Sequence, residues 1–272
     1  MKVKDVLIKE FSNIDDNKVG LLLSGGNGSA SILYTLLEMG KEVHAYTFHM
    51  EDYESTDLII AKELCEKYDI EHTCVALSSD LDSLKKDCLY LVNDIGCKLK
   101  SDVECCWAIK NTLPHIQERV VIIGIGDDNH FCITKKAMMY YSQTAELMDE
   151  FREKKYRKCI AQTEMIKLMA KEFDVEVNFP YTIDDMCEIF KGTTYKQINK
   201  PKMKQWILDT HPEKFEVNRY YHAVFQRGDS KIGDNFLQLL DSDWNLRGYK
   251  RTDGIYNSIG RGELPLEKER LL

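Results

Sequence analysis

The sequence predicts an α/β fold, a parallel sheet with helices on both faces, followed by a mainly α-helical C-terminal half. Three observations carry that prediction. Over the first half of the chain, apolar runs of strand length alternate with helical stretches of about 10–15 residues, the spacing of strand–helix–strand units. The run "VVIIGIG" (120–126) is apolar without a break, as a strand covered on both faces requires. Beyond about residue 135 such runs give way to long patterns of helical period.

Taken in order, "KVGLLLS" (18–24) reads as the first strand and "SASILYTLLEMG" (29–40) as the helix after it. "EVHAYTFHM" (42–50) is a strand, "STDLIIAKELCEKYD" (55–69) a helix, and "EHTCVAL" (71–77) a third strand. Two helices, "LDSLKKDCLYLVNDIG" (81–96) and "DVECCWAIKNTLPHIQE" (102–118), lead to a fourth strand, "RVVIIGIG" (119–126). The second half opens with one long helical pattern, residues 137–174. Shorter ones follow at "IDDMCEIFKG" (183–192), "KPKMKQWILDTH" (200–211) and "NFLQLLDS" (235–242).

Composition bounds the function. With 272 residues, 43% of them hydrophobic, the chain can bury a substantial core as one large domain or two small ones. The net charge of -8 argues against a general nucleic-acid binder, which presents a basic surface. No apolar run approaches the roughly 20 residues that span a bilayer, so no membrane association is expected. The nine cysteines are odd in number and include no Cys-x-x-Cys pair. They read as reduced thiols of a cytoplasmic protein rather than as a zinc site or redox dithiol. The basic run 152–158 reads as an exposed helix face, and His49, His72 and His130 have no metal-ligand spacing.

Both glycine-rich turns, after Leu23 and after Ile123, fall at the carboxyl ends of strands, where open α/β sheets bind ligands. The first is Ser24-Gly25-Gly26-Asn27-Gly28-Ser29. It has no charged residue, yet its backbone amides, its two serine hydroxyls and the helix dipole behind it make an anion site. It lacks the Gly-Lys-Ser/Thr of a Walker loop. It also fails Gly-x-Gly-x-x-Gly, because Ala30 and Ser31 fill the later positions.

This loop resembles the Ser-Gly-Gly-x-Asp-Ser pyrophosphate loop of the ATP pyrophosphatase (PP-loop) superfamily, whose fold is of the adenine nucleotide α-hydrolase type. Further segments are similar to the synthetase domain of asparagine synthetase and β-lactam synthetase, and they follow the family order. They are the stretch 43–77, "VIIGIGDDNHF" (121–131), "NFPYTIDD" (178–185) and "KPKMKQWILDTHPEKF" (200–215). The resemblance implies a synthetase-like domain over 1–240, with a nucleotide-binding part at 1–135 and a helical part at 136–240. Residues 241–272 form a C-terminal tail, and no glutaminase domain is expected. It implies ATP and magnesium as cofactors, with small-molecule carboxylate and amine substrates. The nitrogen would come from free ammonia, a separate amidotransferase or partner protein, or an amine on the substrate.

Carried over residue by residue, the resemblance puts Leu22 and Met50 near adenine and Gly124 close to the nucleotide. It puts Ser24, Gly25, Gly26, Asn27, Gly28 and Ser29 around pyrophosphate. Asp128 falls on a magnesium-binding aspartate, with Asp127 beside it as a second carboxylate. The family keeps a lysine in the helix matched by 200–215, where Lys200, Lys202 and Lys204 are candidates and Lys202 is assigned a catalytic role. A catalytic lysine of the last loop falls on His222 or Arg227 according to the glycine counted from, with Lys231 close by. Two family positions differ. The metal-binding loop aspartate is Gly28, and the acid–base residue of the second turn is Ile125.

The leading expectation is therefore ATP-dependent adenylation of a carboxylate followed by amide formation, with release of pyrophosphate and AMP. The departures support an alternative, a degenerate nucleotide- or partner-binding protein of the same fold. A third reading is modification of a nucleobase or tRNA, against which the acidic charge and the missing Cys-x-x-Cys weigh.

Overall fold

Five strands form one parallel sheet in the order β3–β2–β1–β4–β5. They are β1 (Lys18–Leu22), β2 (Glu42–Met50), β3 (Glu71–Leu77), β4 (Val120–Ile123) and β5 (Glu176–Asn178). The structure, a computed structural model, describes residues 1–215 and 230–264. The chain moves outward from β1 through β2 to β3, then returns to lay β4 on the other side of β1. The gap between the carboxyl ends of β1 and β4 is thus the switch point of the sheet. Leu22 pairs with Tyr46 on one side and Ile123 on the other, so β1 and β4 end level there while β2 runs on to Met50.

Side-chain alternation divides the core into two layers. Val19, Leu21, Ala45 and Ile122 face one layer, and Leu22, Tyr46, Val121 and Ile123 the other. The first layer is filled from α1 (Val3–Phe11), α2 (Asn27–Glu38) and α3 (Thr56–Tyr68) by Leu7, Phe11, Ile32, Leu33 and Leu64. The second is filled from α4 (Leu81–Asn93) and α5 (Lys100–Thr112) by Leu84, Leu91, Val103 and Trp107. Both faces are covered, as a parallel sheet requires.

After β4 come α6 (Asp127–Phe131), α7 (Lys135–Tyr141) and the 26-residue α8 (Ala145–Ala170). Beyond β5 lie α9 (Asp184–Phe190), α10 (Tyr195–Asn199), and two single turns, α11 (Gln205–Leu208) and α12 (Pro212–Phe215). Two elements, α13 (Ile232–Asn235) and α14 (Thr252–Gly260), follow the segment 216–229. The amino ends of the strands are pinned by buried polar groups. His44 Nδ1 lies 2.9 Å from Glu118 Oε1, and the Tyr46 hydroxyl donates to Glu118 Oε2 at 2.6 Å.

The structure departs from the sequence reading in several places. The helix α1 buries Val3, Val6, Leu7 and Phe11 ahead of the first expected strand. The short edge strand β5 interrupts the half expected to be helical, and pairs Val177 with Val121. The long pattern 137–174 breaks at Ser142 and resumes where the Thr144 hydroxyl accepts from the Leu147 amide, a helix cap. The helix read over 102–118 stops at Thr112 and tightens into a 3-10 turn, Leu113–His115, because Pro114 has no N–H to donate to the carbonyl four residues back. The helix expected over 200–211 shrinks to Gln205–Leu208, because Lys204 sits in the left-handed region at φ 56°.

Residues 241–264 pack into the same core. Trp244, Ile255, Tyr256 and Ile259 are buried together with Leu91 and Trp107. The variant Ile255→Ala is expected to cost about 2–4 kcal/mol in urea unfolding, the range for a truncated buried isoleucine. A cost under about 0.5 kcal/mol, usual for a surface position, would show that this segment is not part of the folding unit.

Candidate active site

The first glycine turn is built by steric necessity. Gly25 has φ +72°, and a Cβ there would lie 2.8 Å from Ile60 Cβ, so only glycine fits. The turn closes on itself. The Ser24 amide donates to Ser29 Oγ at 3.3 Å, Ser29 Oγ donates to the Gly26 carbonyl at 3.2 Å, and the Gly26 amide donates to Ser24 Oγ at 3.3 Å. Gly26 is the N-cap of α2 and has no side chain with which to cap it. The first amides of α2 are thus left to an incoming acceptor.

The second turn leans on the first. A Cβ on Gly124 would stand 3.5 Å from the Ser29 amide nitrogen. Gly126, at φ +103°, has Thr182 Cγ2 2.8 Å from its would-be Cβ. Between them Ile125 packs against the second apolar layer and brings no acid–base group.

At the start of α6 stands the charged group of the site. Asp127 Oδ1 accepts from the Asp128 amide at 2.7 Å, and Asp127 Oδ2 accepts from Lys204 Nζ at 2.6 Å. Lys204 also pairs with Asp128 Oδ1. The Asp127 carboxylate fills the space beside Gly28, where an added Cβ would lie 2.8 Å from Asp127 Cγ. Burial pulls the Lys204 ammonium down, but the two aspartates more than offset this, and its pKa is raised. Burial holds the Asp127 carboxyl above its usual range, with Lys204 opposing.

Tyr181 supports the loop from beneath. The Gly28 carbonyl accepts from the Tyr181 hydroxyl at 3.0 Å and from Ser31 Oγ at 2.9 Å. His130 Nε2 donates to the Tyr181 carbonyl at 2.7 Å, and the His130 ring stacks on Phe190 with centroids 4.4 Å apart. Beside these, α6, α8 and α9 border an open cavity of about 300 Å³, lined in part by Asn129, His130, Tyr156, Cys159 and Thr182. Arg152 at its wall is committed to the fold. It donates to the carbonyls of His130 at 3.1 Å and Phe190 at 2.7 Å, and pairs with Asp149 at 2.7 Å.

The structure brings Ser24, Gly25, Gly26, Asn27, Gly28, Ser29, Gly124, Asp127 and Asp128 to one place. Leu22 and Met50 are buried at the ends of β1 and β2 on the second-layer face. Lys202 is exposed, and its amide donates to Gln205 Oε1. The lysine that enters the site is Lys204, turned inward by its left-handed backbone. Lys231 is exposed, its ammonium 3.7 Å from the Tyr53 ring centroid. His222 and Arg227 lie outside the described residues. Tyr181 escaped the sequence reading, although "NFPYTIDD" was quoted for its resemblance; its hydroxyl partner Ser31 is 150 residues away in the chain.

Two carboxylates beside a phosphate-type loop suit magnesium, which takes one or two protein carboxylates and completes its shell with phosphate and water. Both already converge on a single positive charge, that of Lys204. Among the described residues no group of three or more His, Cys, Asp or Glu side chains could hold a metal.

An open parallel sheet with this loop at its switch point defines a protein of the PP-loop ATP pyrophosphatase class. The chain belongs to the asparagine synthase family, whose family model matches residues 12–176. It is 39% identical over 72 residues to the microcin J25-processing protein McjC of Escherichia coli, a match covering 26% of this chain and 14% of that protein. It is 37% identical over 83 residues to the 7-cyano-7-deazaguanine synthase of Leptospira interrogans, covering 29% and 34%. The chain thus spans about a third or less of the length of these curated relatives. Among solved structures, the U34-tRNA thiolase NcsA of Methanococcus maripaludis is 17% identical with a TM-score of 0.42, covering 99% of this chain and 78% of that one.

Two outcomes follow from this geometry. Glycine-to-alanine changes inside helices usually gain stability, but Gly28→Ala is expected to lose about 1–3 kcal/mol through overpacking. Asp127→Ala should relieve much of that loss in a double-mutant cycle followed by urea unfolding; additive costs would mean the two positions do not meet. Burial lowers the His130 pKa to about 4. An unfolded histidine titrates near about 6.5, so the unfolded chain takes up a proton that the folded chain refuses. Stability is therefore complete above about pH 6.5 and falls as pH drops toward about 4. His211, also lowered to about 4, adds to the effect. His130→Gln should flatten the pH dependence of the urea midpoint in that window, and an unchanged slope would contradict the assignment.

Proposed function

We propose that this chain is an ATP-dependent ligase that adenylates a small-molecule carboxylate and transfers the acyl group to an amine. The observation that carries this reading is the meeting of both glycine turns at the switch point, with Asp127, Asp128 and Lys204 beside the loop. A substrate carboxylate oxygen attacks the α-phosphorus of ATP, and the bond to pyrophosphate breaks. The amine nitrogen then attacks the acyl carbon, loses a proton, and AMP leaves. The loop amides and the hydroxyls of Ser24 and Ser29 orient the pyrophosphate, and Lys204 balances its charge. Magnesium held by Asp127 and Asp128 would supply further charge neutralisation on the leaving pyrophosphate. Ile125 moves no proton, so the proton from the amine goes to another group. Lys231 is the described candidate, and His222 and Arg227 remain the alternatives outside the described residues.

The amine is free ammonia, the product of a separate amidotransferase, or part of the substrate. We place the reaction in the cytoplasm because no disulfide joins any of the nine cysteines. None of the described helices is long and apolar enough to cross a membrane. Two specific observations favour other readings. Gly28 and Ile125 favour a protein of this fold that binds a nucleotide or partner without turnover. The similarity to 7-cyano-7-deazaguanine synthase favours a nucleobase as substrate.

The test is pyrophosphate release from ATP and magnesium across a panel of acids and amines. Release that depends on the acid is expected, and Lys204→Ala should reduce it by about a hundredfold, the scale of losing one charge-stabilising donor. ATP binding by calorimetry without AMP formation would favour the non-catalytic reading. Absence of both would exclude an ATP site.

A further inference from the structure

In the absence of phosphate, the cation position of this site is already filled from within the protein. Lys204 Nζ lies 2.6 Å from Asp127 Oδ2 and pairs with Asp128 Oδ1 as well. The other oxygen of Asp127 accepts from the Asp128 amide. The side chains of Lys204 and Asp127 are only 13% and 14% exposed, so bulk water screens this contact little. A magnesium ion sits at about 2.0–2.1 Å from a carboxylate oxygen. On Asp127 Oδ2 it would share that oxygen with the ammonium, two like charges in close contact. Gly28 offers no side chain to enlarge the donor set.

The base of the lysine is held independently of its charged end. The Lys204 amide donates to Asn199 Oδ1 at 3.0 Å, and Asn199 Nδ2 donates to the Phe131 carbonyl at 2.9 Å. This ties the residue to the end of α6. Its flexible four-carbon stem lets the ammonium exchange one partner for another without moving the backbone.

Resting on the nucleotide reading above, we propose that Lys204 is an internal counterion that holds the cation position between Asp127 and Asp128 until a polyphosphate takes over its ammonium. A divalent metal therefore enters only together with the phosphate, which supplies both a new partner for Lys204 and the rest of the metal's shell. The metal site is assembled by the substrate rather than kept ready for it.

Manganese serves as the probe, with free Mn²⁺ followed by electron paramagnetic resonance on the full chain. Wild-type protein alone should bind Mn²⁺ at least about tenfold more weakly than Lys204→Met, a variant that releases both carboxylates from their counterion. Lys204→Met with Asp127→Asn should lose that gain. Equal Mn²⁺ affinity of wild type and Lys204→Met, with both shown folded by circular dichroism, would overturn the proposal. If Lys204→Met does not fold, Lys204→Gln decides in its place. Mn²⁺ affinity about tenfold or more above wild type supports the counterion, and equal affinity refutes it. The nucleotide reading fails separately, if pyrophosphate and ATP do not bind at all, and the comparison of wild type with Lys204→Met in Mn²⁺ alone stands regardless of that result.

Discussion

Lys204 reaches from the helical half of the chain into the first turn of α6 and sets one positive charge between two carboxylates. The surrounding arrangement depends on that placement. Without the ammonium, Asp127 would be a buried carboxylate jammed against a glycine, with like charge beside it, which is costly. With it, the first turn of α6 can lie against the first turn of α2, and the two glycine turns close into one site. The contact also crosses the sequence, joining a residue after α10 to one that follows β4.

Much of the second half serves to hold this contact. Tyr181 carries the loop through the Gly28 carbonyl, and His130 carries Tyr181. Arg152, bonded to the carbonyls of His130 and Phe190, fixes α8 against α6 and α9. These groups are buried and satisfied, and a half-satisfied network of this kind would be worse than an apolar core. The site therefore rests on a rigid floor, while its charged group stays near the surface through Asp128, whose side chain is 58% exposed.

The sheet was legible because its signals are local. Unbroken apolar runs such as "VVII" and the alternation of strands with helices mark β1 to β4 and their covering helices. The glycine turns were legible for the same reason, since the left-handed backbone at Gly25 is a local demand, although the contact with Ile60 that enforces it is not. The strand β5 was not, because three residues carry no period of their own and pair only because β4 is already there. The choice among Lys200, Lys202 and Lys204 was not legible either. It is made by one left-handed backbone residue and by an asparagine five positions upstream. Tyr181 depends on a partner far away in the chain, a relation that no local pattern announces.

The contact at Gly28 also has a historical consequence. In this backbone positions 28 and 127 cannot both carry a side chain in its present place, since any Cβ on Gly28 meets the Asp127 carboxylate. A route between this chain and a relative with an aspartate in the loop thus has a favoured order. The route is smoother if position 127 shrinks or α6 shifts before the loop gains its side chain, because the reverse order passes through a clash. The two carboxylate placements compete for the same space, and a single substitution that adds a side chain at position 28 carries the overpacking cost of about 1–3 kcal/mol.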